Sequence, residues 1–333
     1  MSQTKIPQRS DYENVFSLFQ LPGRRPVRPD LSHPFVNATL LIPSNLSYFS
    51  GQGGFAIVYR LRDESGNEWA VRCPLRLLSE ADRAHAVALS NWNPPKPLQR
   101  HLVLPSLFSE ALFVGGEWID ITVMPWVSGE TLEEVFNGKP RSDWDILADA
   151  WQQLVSLLAT EGVAHGDLQP KNVIRTADNT LTLVDYDSFL IPGAEGDVCP
   201  VGGLRGYGHP LFTSGRSSRR YHKDMDTFAG LVMLVTLRAL AVDPSLLRPD
   251  ADDGFVIPDA ELLSPGITFQ RLESFPEPVA TLSKKLRELC GDPGGGLRPW
   301  VNITATGSRL AYELKLPQLP VAPLRIPYSP LFP

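Results

Sequence analysis

The stretch HGDLQPKNVI (165–174), followed shortly by LVDYDSF (183–189), carries the strongest chemical signal in the chain. Asp167 offers a carboxylate able to face an acceptor hydroxyl, and Asn172 and Asp185 offer the hard oxygens that magnesium prefers. Transfer of a phosphoryl group asks a protein for positioning and charge neutralisation and for little covalent help, so a base and two cation ligands close in sequence suit it. The alternative reading is an Asp–Asn loop that happens to precede an ordinary strand end. NVIRT and LTLVDY read as two short strands around it.

Outward from this stretch the periodicity changes sign twice. Upstream, Trp144, Leu147, Ala148, Trp151, Leu154, Val155 and Leu158 recur at three and four residues, which predicts an amphipathic helix. Ser142 with Asp145 resembles a capping box at its start, and Gly162 is placed to end it in a left-handed conformation. Further upstream, FAIVYRL (55–61) and EWAVRC (68–73) flank the turn-forming DESGN and predict an antiparallel hairpin. A helix is expected over 78–92, then two strands, SEALFV and EWIDITVM, joined by Gly115-Gly116. Downstream lies an apolar helix near 226–242. Strands come first and helices afterwards, which predicts an α+β protein of two unequal lobes, a small β-rich N-lobe and a larger, mainly helical C-lobe.

Bulk properties narrow the function classes. A net charge of −6 gives no global reason to expect nucleic acid or an anionic membrane as partner. Cys73, Cys199 and Cys290 are far apart, with no CxxC pair, which suits a reducing compartment and offers no zinc-ligand spacing. The run Phe228 to Val242 contains Arg238 and is short for a bilayer, so a buried helix, no membrane insertion and a cytoplasmic location are expected. Proline concentrates near both ends, in LPGRRPVRP and LKLPQLPVAPLRIPYSPLFP, which read as extended arms on the surface or disordered tails.

HGDLQPKN resembles the catalytic loop H-R-D-L-x-x-x-N of the eukaryotic-type protein kinase superfamily, and DYD stands where that family has D-F-G. SGQGGFAIVYR (50–60) is similar to its glycine-rich turn: Gly51, Gly53 and Val58 match, with Ala56 in place of the third glycine. AVR resembles the third-strand V-A-I-K motif, placing Ala70 beside the nucleotide and Arg72 where the phosphate-pairing lysine would be. The resemblance makes Glu80 the candidate partner of Arg72; an exposed helix N-terminal acid is the other reading. TVMPWVSGETL (122–132) resembles the hinge between lobes, which gives Met124 the back wall of the pocket or a plain core role. It also assigns the Pro125 carbonyl and both backbone groups of Val127 to adenine.

GLRGYGHPLF (203–212) looks like the close of an activation segment, and MDTFAGLVMLVTLRAL (225–240) like the helix whose aspartate, here Asp226, holds the catalytic-loop backbone or caps the helix. Gly166 replaces the arginine of H-R-D, and Gln169 replaces a lysine. Lys171 is left to reach a transferring phosphate or simply to face solvent. The whole pattern is similar to a divergent bacterial group of kinase-like proteins and covers roughly 46–300. It implies an N-terminal extension (1–45), an N-lobe (46–124), a hinge and C-lobe (125–315) and a proline-rich tail (316–333). It further implies ATP with Mg2+ or Mn2+ and an unidentified protein bearing serine or threonine hydroxyls. The alternatives are a nucleotide-sensing or interaction scaffold without turnover, and a small-molecule kinase.

Overall fold

Tyr12, Val15, Phe16 and Phe19 recur at helical spacing near the N-terminus. In the computed structural model, which describes residues 7–21, 26–41, 51–52, 56–138, 141–194, 225–248 and 256–290, they form the buried face of helix α1 (Arg9–Ser17) and the turn after it. Phe16 stacks on Tyr59 with ring centroids 3.6 Å apart, and the Tyr12 hydroxyl donates to the Pro74 carbonyl at 2.6 Å. Strand β1 (Thr39–Leu40) then pairs with Arg62 and Leu61. The N-terminal extension is therefore no detached arm. Its described residues share one hydrophobic core with the sheet, because a four-residue apolar stripe inside a polar segment is enough to bury a helix face.

Strand β2 (Gly51–Gln52) also pairs with β3 (Ala56–Arg62), and β3 forms the expected hairpin with β4 (Glu68–Pro74). The turn is held by Asp63, whose carboxylate accepts from the backbone of Ser65 and Asn67, the Asn67 amide and the Trp69 indole. Helix α2 (Glu80–Asn91) starts at a Ser79–Asp82 capping box. Strands β5 (Ser106–Val114) and β6 (Glu117–Pro125) complete an antiparallel sheet whose main path runs β1-β3-β4-β6-β5. Because residues paired across an antiparallel sheet share a face, Val58, Arg72 and Thr122 form one row and Arg60, Ala70 and Met124 the next. Ile57, Tyr59, Val71, Cys73 and Val123 take the opposite face and pack into the core that α1 completes.

Past β6 the chain enters the second lobe through β7 (Glu130–Thr131) and α3 (Leu132–Asn137). Helix α4 (Trp144–Thr160) buries the predicted stripe, Val155 only in part, and Gly162 follows it at φ +68° as expected. The expected Ser142–Asp145 box does not form. The helix starts after Asp143, whose carboxylate is bound by Arg141 at 3.0 Å and Arg175 at 2.5 Å instead. Strands β8 (Val173–Arg175) and β9 (Leu181–Leu183) join β7 in a small antiparallel sheet.

Helix α5 (Thr227–Val242) is buried through most of its length. It lies close against α4 because Gly230 leaves room for Val155, and the Trp151 indole donates to the Gly230 carbonyl at 2.8 Å. Arg238 interrupts its apolar run at an edge, paired with Asp149 at 2.5 Å and Asp145 at 3.2 Å. Helices α6 (Asp259–Leu263), α7 (Ile267–Glu273) and α8 (Val279–Cys290) finish the lobe. The result is an α+β, two-lobed arrangement with a coarse likeness to the kinase architecture. Among the described residues no helix is long and apolar enough to cross a membrane. Gly53, Cys199, the GYGHP segment and the C-terminal tail lie outside the described residues.

Phe16 is fully buried, so replacing it with alanine removes a large ring from the shared core. Phe16→Ala is expected to lower stability by about 3–5 kcal/mol in a denaturant titration; a loss under about 1 kcal/mol would mean that α1 adds little to that core.

Candidate functional site

The loop 165–172 hangs on one buried carboxylate. Asp226, just before α5, accepts from the backbone N–H of His165 through Oδ2 and from that of Gly166 at 2.8 Å through Oδ1. Its side chain makes no capping bond to the helix, so of its two sequence readings the loop-holding one describes the geometry. His165 is completely buried. Its Nε2 lies 2.9 Å from the Val184 carbonyl, and its Nδ1 accepts from the Asp167 N–H at 3.3 Å, which places the ring proton on Nε2. One imidazole thus joins the loop to the segment that bears Asp185. Gly166 sits at φ +78°, and a Cβ there would lie 2.2 Å from the Ser188 carbonyl oxygen. Any larger residue at 166 meets both backbone strain and a backbone clash, which is a physical reason for the missing arginine.

Asp167 is held on one side only. Its Oδ2 accepts from the Gln169 amide at 2.6 Å and the Asn172 amide at 3.0 Å, while Oδ1 is buried without a hydrogen-bond partner among the described residues. The Asn172 amide nitrogen is used on Asp167, at Oδ2 and at the backbone carbonyl 2.9 Å away, so its oxygen is the atom left for a cation. Gln169, which replaces a lysine, therefore orients the acid rather than contributing charge. Lys171 is exposed on the short turn Pro170–Asn172.

Asp185 adopts φ +65°, a left-handed conformation uncommon for a residue with a Cβ and of the kind that concentrates at functional sites. Its carboxylate is 41% exposed, and Arg72 Nη2 lies 3.4 Å from it. The same nitrogen makes a shorter contact, 2.5 Å, to Asp187. Glu80 is exposed in the first turn of α2, and Arg72 takes its partners from the DYD segment instead. Burial works against the Arg72 charge, yet attraction to Asp187 and then Asp185 outweighs it and raises its pKa above the ordinary arginine value. Burial, helped by the like charge of Asp185 and opposed by Arg72, raises the pKa of the Asp187 carboxyl. Asp187 was not singled out by the motif, because a glycine normally stands there; the spare acid in DYD was the available signal.

Between the sheet and α2 a pocket opens beside these acids, bordered by Arg72, His85, Leu89, Met124, Tyr186 and Asp187. Met124 is buried and borders this pocket, so its two sequence readings coincide. Val58, Ala70 and Arg72 share its sheet face, the Gly51 backbone pairs with Val58, and Pro125 and Val127 begin the connection between lobes. Tyr186 replaces the expected phenylalanine without an unsatisfied hydroxyl: it donates to the Leu183 carbonyl at 2.5 Å and accepts from the Val103 N–H at 2.8 Å. His85 Nε2 lies 3.1 Å from the Tyr186 carbonyl and joins α2 to the same segment.

Among the described residues no group of three or more His, Cys, Asp or Glu side chains forms a self-contained metal site. Asp185 and the Asn172 oxygen are donors of the chemical kind that magnesium takes alongside phosphate and water. The sequence matches no family model and no curated protein. The functional reading therefore rests on this geometry and on the motifs.

Two outcomes are expected. Gly166→Ala should cost about 1–3 kcal/mol of stability through strain alone, more if Ser188 cannot yield, as read by thermal unfolding; wild-type stability would show that the loop relaxes freely. His101 supports β9, with Nδ1 2.7 Å from the Leu181 carbonyl and Nε2 accepting from Arg100 at 3.0 Å. Burial, with Arg100 adding to it and the Leu181 bond opposing, lowers its pKa below 6.5. The stability it contributes is complete above that ordinary value and is lost as pH falls through the depressed one. A melting temperature that falls between pH 7.5 and 5, with a shallower fall in His101→Gln, is the expected result.

Proposed function

We propose that this chain transfers a phosphoryl group from ATP, with magnesium, to serine or threonine hydroxyls of a protein. The observation that carries the reading is the state of Asp167. Two amides occupy one of its oxygens, and the other, without a hydrogen-bond partner among the described residues, is the one left to accept a hydroxyl proton. Asp167 would orient the acceptor and take its proton through Oδ1 as the oxygen attacks. Gln169 and Asn172 hold the carboxylate at one angle throughout. Arg72 would bind phosphate oxygens with guanidinium donors not used on Asp187 and Asp185. Lys171, exposed on the same loop, would steady the transferring group. Magnesium bound at Asp185 and the Asn172 oxygen would neutralise phosphate charge.

A second reading has its own support. Arg72 reaches the candidate metal ligand Asp185, an arrangement that also suits a nucleotide sensor without turnover. Protein substrates are favoured by the GYGHP motif alone, so small hydroxylated metabolites belong in the same assay.

The test is labelled ATP with Mg2+ or Mn2+, offered with generic proteins and with small polyols, comparing wild type with Asp167→Ala. Protein labelling, or autophosphorylation, that drops about 10²–10⁴-fold in the variant is expected. Labelled polyols alone would make it a small-molecule kinase. No transfer above the variant would sink the enzyme reading, and nucleotide-dependent stabilisation retained in Asp167→Ala but lost in Asp185→Ala would then favour the sensor.

A further inference from the structure

We infer that Asp187, the second acid of DYD, is the positioning residue that holds Arg72 ready for phosphate, a task that α2 cannot perform in this chain; the inference rests on the nucleotide reading above. Helix α2 carries two acids. Glu80 is exposed in the first turn, and Asp82 binds Arg76 at 2.6 Å and the Ser79 backbone at 2.9 Å through Oδ2, with no ion pair to Arg72 among the described residues. From Arg83 to Asn91 the helix has no carboxylate. His85, on the same helix, contacts the Tyr186 carbonyl at 3.1 Å. In this chain the counter-ion of Arg72 comes from the segment that the helix contacts and not from the helix.

This placement also suits an arginine at 72. Nη2 serves both acids, at 2.5 Å to Asp187 and 3.4 Å to Asp185, and the rigid fork keeps Nη1 and Nε for another anion. A lysine would present a single nitrogen to all three. Asp187 has the shorter contact, so it draws the guanidinium away from Asp185 and leaves the latter freer to take a cation. Without Asp187, the closest anion to Arg72 is the metal ligand itself. Loss of Asp187 should therefore weaken nucleotide binding and raise the magnesium requirement together, a pairing that a loss of packing would not produce.

The experiment measures binding of a non-hydrolysable ATP analogue to the full chain by calorimetry across a magnesium series, with ATP turnover alongside. Wild type, Asp187→Asn, Asp187→Glu, Glu80→Gln, Arg72→Lys and the Arg72→Lys/Asp187→Asn double variant are compared, each checked for its melting temperature. Asp187→Asn is expected to bind about tenfold more weakly, the effect of losing one charged hydrogen bond, and to need several-fold more magnesium. Asp187→Glu should recover part of the loss, and the double variant should be no worse than the poorer single one. Asp187 carries a side chain 30% exposed, so its amide variant should remain folded.

Unchanged binding and magnesium requirement in Asp187→Asn, or a greater loss in Glu80→Gln, would overturn the role of Asp187 and leave phosphoryl transfer standing. Additive losses in the double variant would also overturn it. Binding without turnover in wild type, with the Asp187→Asn effect intact, would support the inference while sinking transfer. Wild type that binds no nucleotide would overturn both.

Discussion

A single buried carboxylate organises the site. Asp226 receives two consecutive backbone N–H groups, those of His165 and Gly166, and so ties the loop to the most apolar helix of the second lobe. Donors buried this deeply need a partner, and an ionised acceptor is a strong one. With that end of the loop fixed, His165 reaches the Val184 carbonyl, and Asn172 pairs its own carbonyl with the Val184 N–H at 2.9 Å. Asp167, Asn172 and Asp185 thereby become parts of one hydrogen-bonded unit. The glycine at 166 is the geometric condition for it, since only there can the chain pass the Ser188 carbonyl.

The first lobe contributes a sheet with two distinct faces. Alternation along β3, β4 and β6 sends Ile57, Tyr59 and Val71 toward α1 and sends Val58, Ala70 and Arg72 to the other side. Since the strand period is two, a one-residue slip would exchange these sets and put Arg72 into the aromatic core, so burial of Tyr59 and its neighbours fixes the register that presents the arginine. The ion pair to Asp187 then crosses from one lobe's sheet to the other's loop, and the position of Arg72 depends on packing at the far side of the sheet.

Much of this was legible in the residue pattern. The hairpin about DESGN, the α4 stripe and its Gly162 stop, and the buried helix after Asp226 were readable because each rests on local periodicity or turn chemistry. Helix α1 was not, because its aromatic residues lie among polar ones beside a proline-rich segment and composition outweighed spacing. The capping box at 142–145 misled for a related reason: the two arginines that capture Asp143 include one distant in sequence, and a tertiary pair overrode a local signal. Motif matching proposed Asp167, Asn172 and Asp185, and left Glu80 either as an exposed helix N-terminal acid, which it is, or as the partner of Arg72. That pairing depends on how a helix lies against a sheet, which no spacing rule encodes. Asp187 fell where the pattern has a glycine, so the residue that departs from the motif was the informative one.

Tyr186 has a consequence of a different kind. Its hydroxyl bridges the Leu183 carbonyl and the Val103 N–H, while its ring packs against Phe189 and His165. Swinging the ring out of its seat would strand two backbone groups that a phenylalanine would never have engaged, at about 1–3 kcal/mol for each buried group left unpaired. Even about 2 kcal/mol reduces an alternative population roughly thirtyfold. The tyrosine thus acts as a latch on the segment that carries both acids. A ligand that needs that ring displaced must supply the difference from its own contacts, whereas one that accepts the seated ring meets a site already in place.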